Sequence, residues 1–175
     1  DKSMLGVRDM AIIATYIACG IRRAELVSID LHHINFRDQS FVVCGKGSKE
    51  RIVPMIQGLD KLILEWVDGY RGEEPGPLFC AIQNTAEQIR RDVDGSLKRL
   101  SPRTINDIVY KRLLCLSEPA TPHDFRRTFA ERRINNKVDI KTLQDLLGHS
   151  TITTTSLYLK DKKRMFESAN QDQLL

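Results

Sequence analysis

The sequence predicts a mainly α-helical domain with a small three-stranded antiparallel β-sheet, an α+β class, and three observations lead to it. Apolar residues recur at helical spacing along most of the chain, as at Met10, Ile13, Ala14 and Ile17. Between residues 34 and 54 this spacing gives way to short β-rich runs separated by turn residues. The chain has 175 residues, 41% of them hydrophobic, which is enough for one compact domain with a sizeable core.

The helices of the first half begin and end at recognisable residues. The first is predicted from Met4 to Ala18 and ends at Gly20, a typical left-handed C-cap. A short helix is predicted over residues 23–28 and a longer one over residues 59–70. The predicted strands between them are 34–36, 40–44 and 50–54, with turns at 37–39 and 45–48.

The second half is predicted to return to helix after a polar surface excursion over residues 84–100. Ser101-Pro102 and Thr121-Pro122 are pairs typical of a helix N-cap and first helical position. The remaining predicted helices are 102–116, 122–136, one capped by Asp139 that stops at Gly148, and one that starts near Ser150 or Thr151 and contains Tyr158.

The charge balance permits a polyanionic partner without establishing one. Lys and Arg number 27 against 23 Asp and Glu, which gives a net charge of +4. Basic residues cluster within 126–137 and again within 160–164. Such clusters suit nucleic acid, but solvated basic surfaces are also common in domains that bind nothing acidic.

The four cysteines and the hydropathy indicate a reducing, cytoplasmic setting. The cysteines are far apart, with no Cys-x-x-Cys pair and no histidine at metal-ligand spacing, so no cysteine-based metal site is expected. Cys19, Cys80 and Cys115 have apolar neighbours and are predicted to be buried free thiols. No apolar run approaches the roughly 20 residues of a membrane span.

A late tyrosine and several cationic residues carry the functional signal. Tyr158 lies nine positions after His149, and His123 and Arg126 lie three apart near the start of a predicted helix. Arg22 follows soon after the glycine that ends the first helix. A phenol can attack phosphorus while fixed cations and hydrogen-bond donors hold the charge on the phosphoryl oxygens. The set therefore suits phosphodiester chemistry without a metal.

Each of these residues alone also has an ordinary structural interpretation. A His-x-x-Arg pair arises by chance, and its histidine is often a satisfied core residue. Taken alone, Arg22 and Glu25 fit a surface ion pair better than a functional site, and Arg23 competes with Arg22 for the inward position. Tyr158 also fits an ordinary helix residue packed beside its neighbours, and His149 also fits a residue that makes a capping contact at a helix end.

Lys46 lies in the turn of the predicted hairpin with a glycine on each side. A basic group on such a turn can enter a DNA groove and deliver a proton to a leaving 5′-oxygen. Lys49 competes for the same role, and most turn lysines are only solvated.

Five segments stand in an order and at gaps that identify a family. They are Gly20–Leu26, Gly45–Pro54, His123–Arg126, Leu147–Ser150 and Tyr158. Together they resemble the Gly-Leu-Arg-x-x-Glu-Leu box, the β-hairpin signature, the His-x-Leu-Arg box and the Leu-Gly-His…Tyr terminus of the tyrosine recombinase (integrase) catalytic domain. The resemblance covers the chain from about residue 4 to residue 160.

The resemblance implies a catalytic role for each matching residue. The two arginines would bind the phosphate, the hairpin lysine would act as general acid toward the 5′-hydroxyl, the two histidines would bind the phosphate or relay protons, and the tyrosine would be the nucleophile. The implied catalytic residues are Arg22, Lys46, His123, Arg126, His149 and Tyr158.

Departures from the family pattern lie beside these positions, with Cys19 for a frequent Thr, Phe125 for Leu and Arg127 for a frequent His. The family also carries an amino-terminal helical domain that clamps DNA, so residues 1–160 are expected to be an isolated catalytic domain with weak DNA affinity. Residues 161–175 are a tail that either folds back or packs on a neighbouring subunit when four protomers embrace two duplexes.

These implications predict a site-specific recombinase of a prokaryotic cytoplasm that cleaves and rejoins double-stranded DNA through a 3′-phosphotyrosyl intermediate. Two alternatives stay open. A type IB topoisomerase-like enzyme shares the chemistry but reseals the same strand, and a noncatalytic DNA-binding relative requires a broken site, although no implied position is replaced.

Overall fold

Helix α1 (Met4–Cys19) runs through the centre of the core, where Ile12 and Tyr16 are fully buried. The arrangement comes from a computed structural model that describes residues 1–45, 50–56, 58–83, 87–114 and 120–148. The other helices are α2 Arg23–Ser28, α3 Leu59–Trp66, α4 Pro102–Leu113, α5 Pro122–Asn135 and α6 Ile140–Leu147, of which α3, α4 and α5 pack against α1. The strands are β1 Ile34–Asn35, β2 Ser40–Cys44, β3 Glu50–Pro54, β4 Ile82–Gln83 and β5 Gln88–Ile89.

The end of α1 sets the position of α5. Gly20 caps the helix in the left-handed conformation, with φ +57°, and its N–H donates to the Tyr16 carbonyl. A Cβ on Gly20 would lie 2.6 Å from the Phe129 ring. Because glycine has no side chain, α5 packs directly against the backbone at this point.

The predicted three-stranded sheet is confirmed, with antiparallel strands in the order β1-β2-β3. Along β3 the exposure alternates: Ile52 is 69% exposed, whereas Val53 is buried and Arg51 half-buried. Since side chains alternate between the faces of a strand, Arg51 and Val53 share the face turned toward the helices. Arg51 is paired across the ladder with the buried Val43.

Two segments differ from the sequence-based predictions. The excursion predicted over residues 84–100 contains β5, which pairs with β4 in a small second sheet, and its apolar Leu97 and Leu100 are buried. The helix predicted to Tyr70 is α-helical to Trp66 and continues as a π-helical turn over Val67–Arg71. The Arg71 guanidinium there donates to four carbonyl oxygens of the following loop, at Gly72, Glu74, Gly76 and Pro77.

Helices α5 and α6 pack together through a small apolar cluster of Phe129, Ala130, Leu143 and Leu147. This contact packs the second half of α5 against α6. The cluster is separate from the main core, which contains the buried residues of α1, α3 and the sheet.

The thiol prediction is confirmed at Cys19 and Cys80, which are buried and unbridged, while Cys115 lies outside the described residues. Burial raises the pKa of the Cys19 thiol to about 12. Within the described part of the chain, none of the helices combines the length and apolarity needed to cross a bilayer.

Candidate active site

Arg22 occupies the junction between α1 and α2, where it is the N-cap of α2 in extended backbone conformation. Its backbone N–H donates to Glu25 Oε2 at 2.7 Å, and its Nη1 donates to Glu25 Oε1 at 2.8 Å. Glu25 is 3% exposed, so this is not the solvated surface pair that the sequence left open. The carboxylate fixes both the backbone and the guanidinium of Arg22.

Arg126 lies in the second turn of α5 and is buried. Its Nη1 donates to the Gly20 carbonyl and its Nη2 to the Leu147 carbonyl, both at 2.6 Å. These carbonyls belong to the ends of α1 and α6, where helix carbonyls lack intrahelical partners and carry partial negative charge. One guanidinium therefore joins three helices.

Three consecutive carbonyls at the end of α6 accept hydrogen bonds from three different arginines. Leu146 accepts from Arg51 Nε at 3.1 Å, Leu147 accepts from Arg126, and Gly148 accepts from Arg22 Nη2 at 2.9 Å. Residues from four of the five segments that resemble the family thus meet at one helix end. His149, the next residue, is outside the described residues.

His123 lies at the start of α5 and faces a cavity of about 340 Å³. The cavity is lined by Ile21, Arg22, Arg23, Asn106, Thr121, Pro122, His123 and Arg126. Three of the predicted site residues, from two separate parts of the chain, therefore share one open cavity. A phosphoryl group fits within this volume, and cationic groups line it.

The first turn of α5 is held by a capping box. Thr121 Oγ1 accepts from the Asp124 N–H at 3.3 Å, and Asp124 Oδ2 accepts from the Thr121 N–H at 2.8 Å and from its hydroxyl at 2.6 Å. The hydrogen bonds from Thr121 hold the pKa of Asp124 below its ordinary value. Between these two residues, His123 is carried on a fixed backbone beside the partial positive charge of the helix start.

Glu25 keeps its charge despite being buried. Burial raises its pKa, but hydrogen bonds from Arg51 and Arg22 outweigh this effect and lower the pKa to about 2. One carboxylate thus balances two guanidinium groups. With Arg23 and Arg126 lining the same cavity, the site retains an excess of positive charge for an anion.

Arg51 lies in the Gly45–Pro54 segment, but the sequence analysis assigned it no role at the site. Its two terminal nitrogens donate to the two oxygens of Glu25, at 2.8 and 2.9 Å. The available signal was its place on β3, two residues before the buried Val53 and hence on the inner face of the sheet. A charged residue on an inner face needs a partner, and sequence spacing gave no indication that Glu25 was that partner.

Lys46 and its competitor Lys49, together with His149 and Tyr158, lie outside the described residues. Their roles stay predictions.

The chain belongs to the phage integrase family, which matches residues 1–165. The family resemblance predicted from the five segments is thereby confirmed. Among the described residues, the two arginines and one of the two histidines predicted to be catalytic line the same cavity.

Named relatives are recombinases. The tyrosine recombinase XerC of Chlamydia muridarum is 33% identical over 180 residues, which cover 99% of this chain and 54% of that protein. The tyrosine recombinase XerD of Pseudomonas putida is 32% identical over 162 residues, which cover 88% of this chain and 50% of that protein. The chain therefore spans about half the length of these relatives.

Solved structures confirm the fold class. The crystal structure of XerA recombinase has a TM-score of 0.72 at 23% identity, covering 93% of this chain and 56% of that one. XerH site-specific recombinase, in a post-cleavage complex with a palindromic difH substrate, has a TM-score of 0.69 at 21% identity. The match covers 95% of this chain and 46% of the XerH chain.

Proposed function

We propose that this chain is the catalytic domain of a site-specific DNA recombinase that cleaves and rejoins double-stranded DNA through a 3′-phosphotyrosyl intermediate. The observation that supports this function most is the convergence of Arg22 and Arg126 on one cavity that His123 also lines. Membership of the phage integrase family supports the same reaction class.

In the proposed reaction, the two arginines hold the scissile phosphate. Each guanidinium can donate to two phosphoryl oxygens, which neutralises the charge that develops as phosphorus becomes five-coordinate. His123, at the start of α5, donates a hydrogen bond to the same phosphate. Because the arginines are anchored before DNA arrives, little reorganisation is needed at the moment of reaction.

Bond making and breaking fall to residues outside the described part of the chain. The Tyr158 phenol passes its proton to His149 as it attacks phosphorus, and the 5′-oxygen leaves with a proton from Lys46. A 5′-hydroxyl of a partner duplex then attacks the phosphotyrosine and gives its proton to Lys46, while the departing tyrosine oxygen takes a proton back from His149, which restores both the phosphodiester and the phenol. The bond energy is conserved in the tyrosyl ester, so the reaction proceeds without ATP, and the arginines supply the positive charge that a metal would otherwise provide.

The partners follow from strand exchange between two duplexes. Double-stranded DNA is the substrate, and four copies assembled on two duplexes would provide the four cleavages of a complete exchange. The XerH structure, a post-cleavage complex with a palindromic difH substrate, supports substrate cleavage by this fold. The setting is a prokaryotic cytoplasm.

The test is covalent capture of DNA. The substrate is a duplex that carries a candidate recombination site and a nick close to the scissile phosphate. Cleavage releases the short strand that bears the free 5′-hydroxyl, so religation is prevented and the protein stays attached to the 3′-phosphate. The chain should give a slow-migrating adduct on a denaturing gel, and Tyr158→Phe should lose the adduct while its DNA binding in a native gel stays near that of the unmodified chain. Undiminished adduct from Tyr158→Phe would refute the nucleophile, and binding without any adduct from the unmodified chain would favour a noncatalytic relative.

A further inference from the structure

We propose that Arg51 is a positioning residue for strand cleavage, acting by holding Glu25 and the last turn of α6 so that Arg22 is presented to the phosphate. This inference rests on the proposed function, because it concerns the geometry of Arg22 as a phosphate-binding group. Arg51 itself does not line the cavity that Arg22, His123 and Arg126 share.

Each oxygen of the Glu25 carboxylate accepts two hydrogen bonds, one from Arg22 and one from Arg51. Oε1 accepts from Arg22 Nη1 and Arg51 Nη1, both at 2.8 Å. Oε2 accepts from the Arg22 backbone N–H at 2.7 Å and from Arg51 Nη2 at 2.9 Å. The contact with Arg51 is bidentate, which fixes the plane of the carboxylate as well as its position.

This plane determines where the Arg22 guanidinium points. Arg22 has a half-exposed side chain, with 40% of its surface accessible, so packing alone does not hold it. Its anchors are Glu25 Oε1 and the Gly148 carbonyl. If Arg51 is removed, Arg22 is the one guanidinium among the described residues that still pairs with the Glu25 carboxylate. The carboxylate can then turn together with Arg22, so the first anchor becomes mobile.

The second anchor of Arg22 depends on Arg51 as well. Arg51 Nε donates to the Leu146 carbonyl at 3.1 Å, two residues before Gly148. Gly148 has φ +61°, and a Cβ there would lie 2.7 Å from Arg51 Nη1, so the guanidinium lies directly against this turn. Arg51 thus binds Glu25, the first anchor of Arg22, and lies against the turn that carries the second anchor, Gly148. The Arg51 side chain is 13% exposed.

Arginine is required by this geometry. The guanidinium uses Nε for α6 and both terminal nitrogens for Glu25, three donors in one plane. Lysine has a single ammonium on a flexible stem and cannot reproduce this fork, although it keeps the charge. A Lys variant therefore separates geometry from charge.

The experiment compares Arg51→Gln and Arg51→Lys with Arg37→Gln, an exposed arginine in the turn between β1 and β2 that provides the same loss of charge on the same sheet. Covalent adduct formation is followed in single turnover at saturating protein, DNA affinity by native gel, and folding by circular dichroism and thermal unfolding. All rates are measured well below each midpoint of unfolding.

The expected result is a roughly 10²-fold fall in the adduct rate for Arg51→Gln, a size typical of displaced catalytic groups. DNA affinity should stay within about threefold of Arg37→Gln, and Arg51→Lys should restore the rate only in part. Between pH 5 and 7 the rate of Arg51→Gln should fall more steeply toward acid than that of the unmodified chain. The reason is that Glu25 loses the partner that most favours its ionised form.

The outcomes separate this inference from the function on which it rests. If neither the unmodified chain nor Arg37→Gln forms an adduct, the proposed function fails. If both form it and Arg51→Gln matches them in rate and in pH profile, the positioning role is overturned while the function stands. A rate loss that only follows the unfolded fraction, with an unchanged pH profile, also overturns the positioning role.

Discussion

Arg22 and Arg51 share the carboxylate of Glu25, each oxygen of which accepts one hydrogen bond from Arg51 and one from Arg22. Since Arg22 precedes α2 and Arg51 lies on β3, this buried contact joins the sheet to the start of the helix. It also keeps an ionised group inside the protein, which makes its consequences measurable.

The free energy of unfolding should fall as the pH is lowered through the range over which Glu25 becomes protonated. Its pKa is lowered from 4.5 to about 2 in the folded protein. A lowered pKa contributes stability that is fully present above the unfolded value and is lost as pH falls from about 4.5 toward 2. We expect the unmodified chain to lose about 2–3 kcal/mol more than Glu25→Gln over this range, measured by urea unfolding. Parallel pH profiles for the two proteins would contradict the assignment.

Gly20→Ala should destabilise the fold by about 3 kcal/mol, because it combines a left-handed backbone with overlap against Phe129. Gly58→Ala is the matched control. Gly58 also has a positive φ, +94°, but nothing lies within 4 Å of a Cβ placed there, so about 1 kcal/mol is expected. Urea unfolding measures both variants. Equal losses would show that the close approach of α5 contributes nothing.

Arg126→Lys should lower the rate of covalent DNA capture by about 10²–10³, since a lysine does not donate to two phosphoryl oxygens in one plane. Arg127→Lys is the control, because Arg127 is the next residue, is exposed and pairs with Glu131. The rates are compared with the nicked duplex at saturating protein and below the unfolding midpoint. If the two variants are within threefold of each other, Arg126 is not a phosphate ligand.

Arg23→Gln should weaken DNA binding without abolishing cleavage. Arg23 is exposed and lines the cavity beside Arg22, but no hydrogen bond to Glu25 holds it as Arg22 is held. We expect the salt dependence of binding to flatten by about one unit of slope, with less than a tenfold change in adduct rate. Arg22→Gln should instead lose the adduct. The reverse pattern would exchange the roles of the two arginines.

Helix boundaries were the most predictable part of the fold, because they depend on neighbouring residues. Thr121 and Asp139 cap the helices that follow them, and Gly20 and Gly148 end the helices that precede them. These are local hydrogen bonds and backbone conformations that each residue type favours wherever it stands. The strands at 34–54 were predictable for the same reason.

Structural features that depend on contacts between residues far apart in the sequence were not predictable. Leu97 is buried by its place beside the second small sheet, which no local pattern in that polar segment indicates. Arg51 reaches Glu25 across 26 positions of sequence and Leu146 across 95. Motif order indicated that Arg22 and Arg126 share a site, but not that helix carbonyls hold them there.

The three-arginine contact at the end of α6 fixes the point of the chain from which the proposed nucleophile follows. Gly148 accepts a hydrogen bond from Arg22, and Tyr158 follows it by ten positions of chain. A polypeptide spans at most about 3.5 Å per residue, so the Cα atom of Tyr158 lies within roughly 35 Å of that of Gly148. Each glycine inserted between the two residues would raise this upper limit by about 3.5 Å without changing a residue of the three-arginine contact.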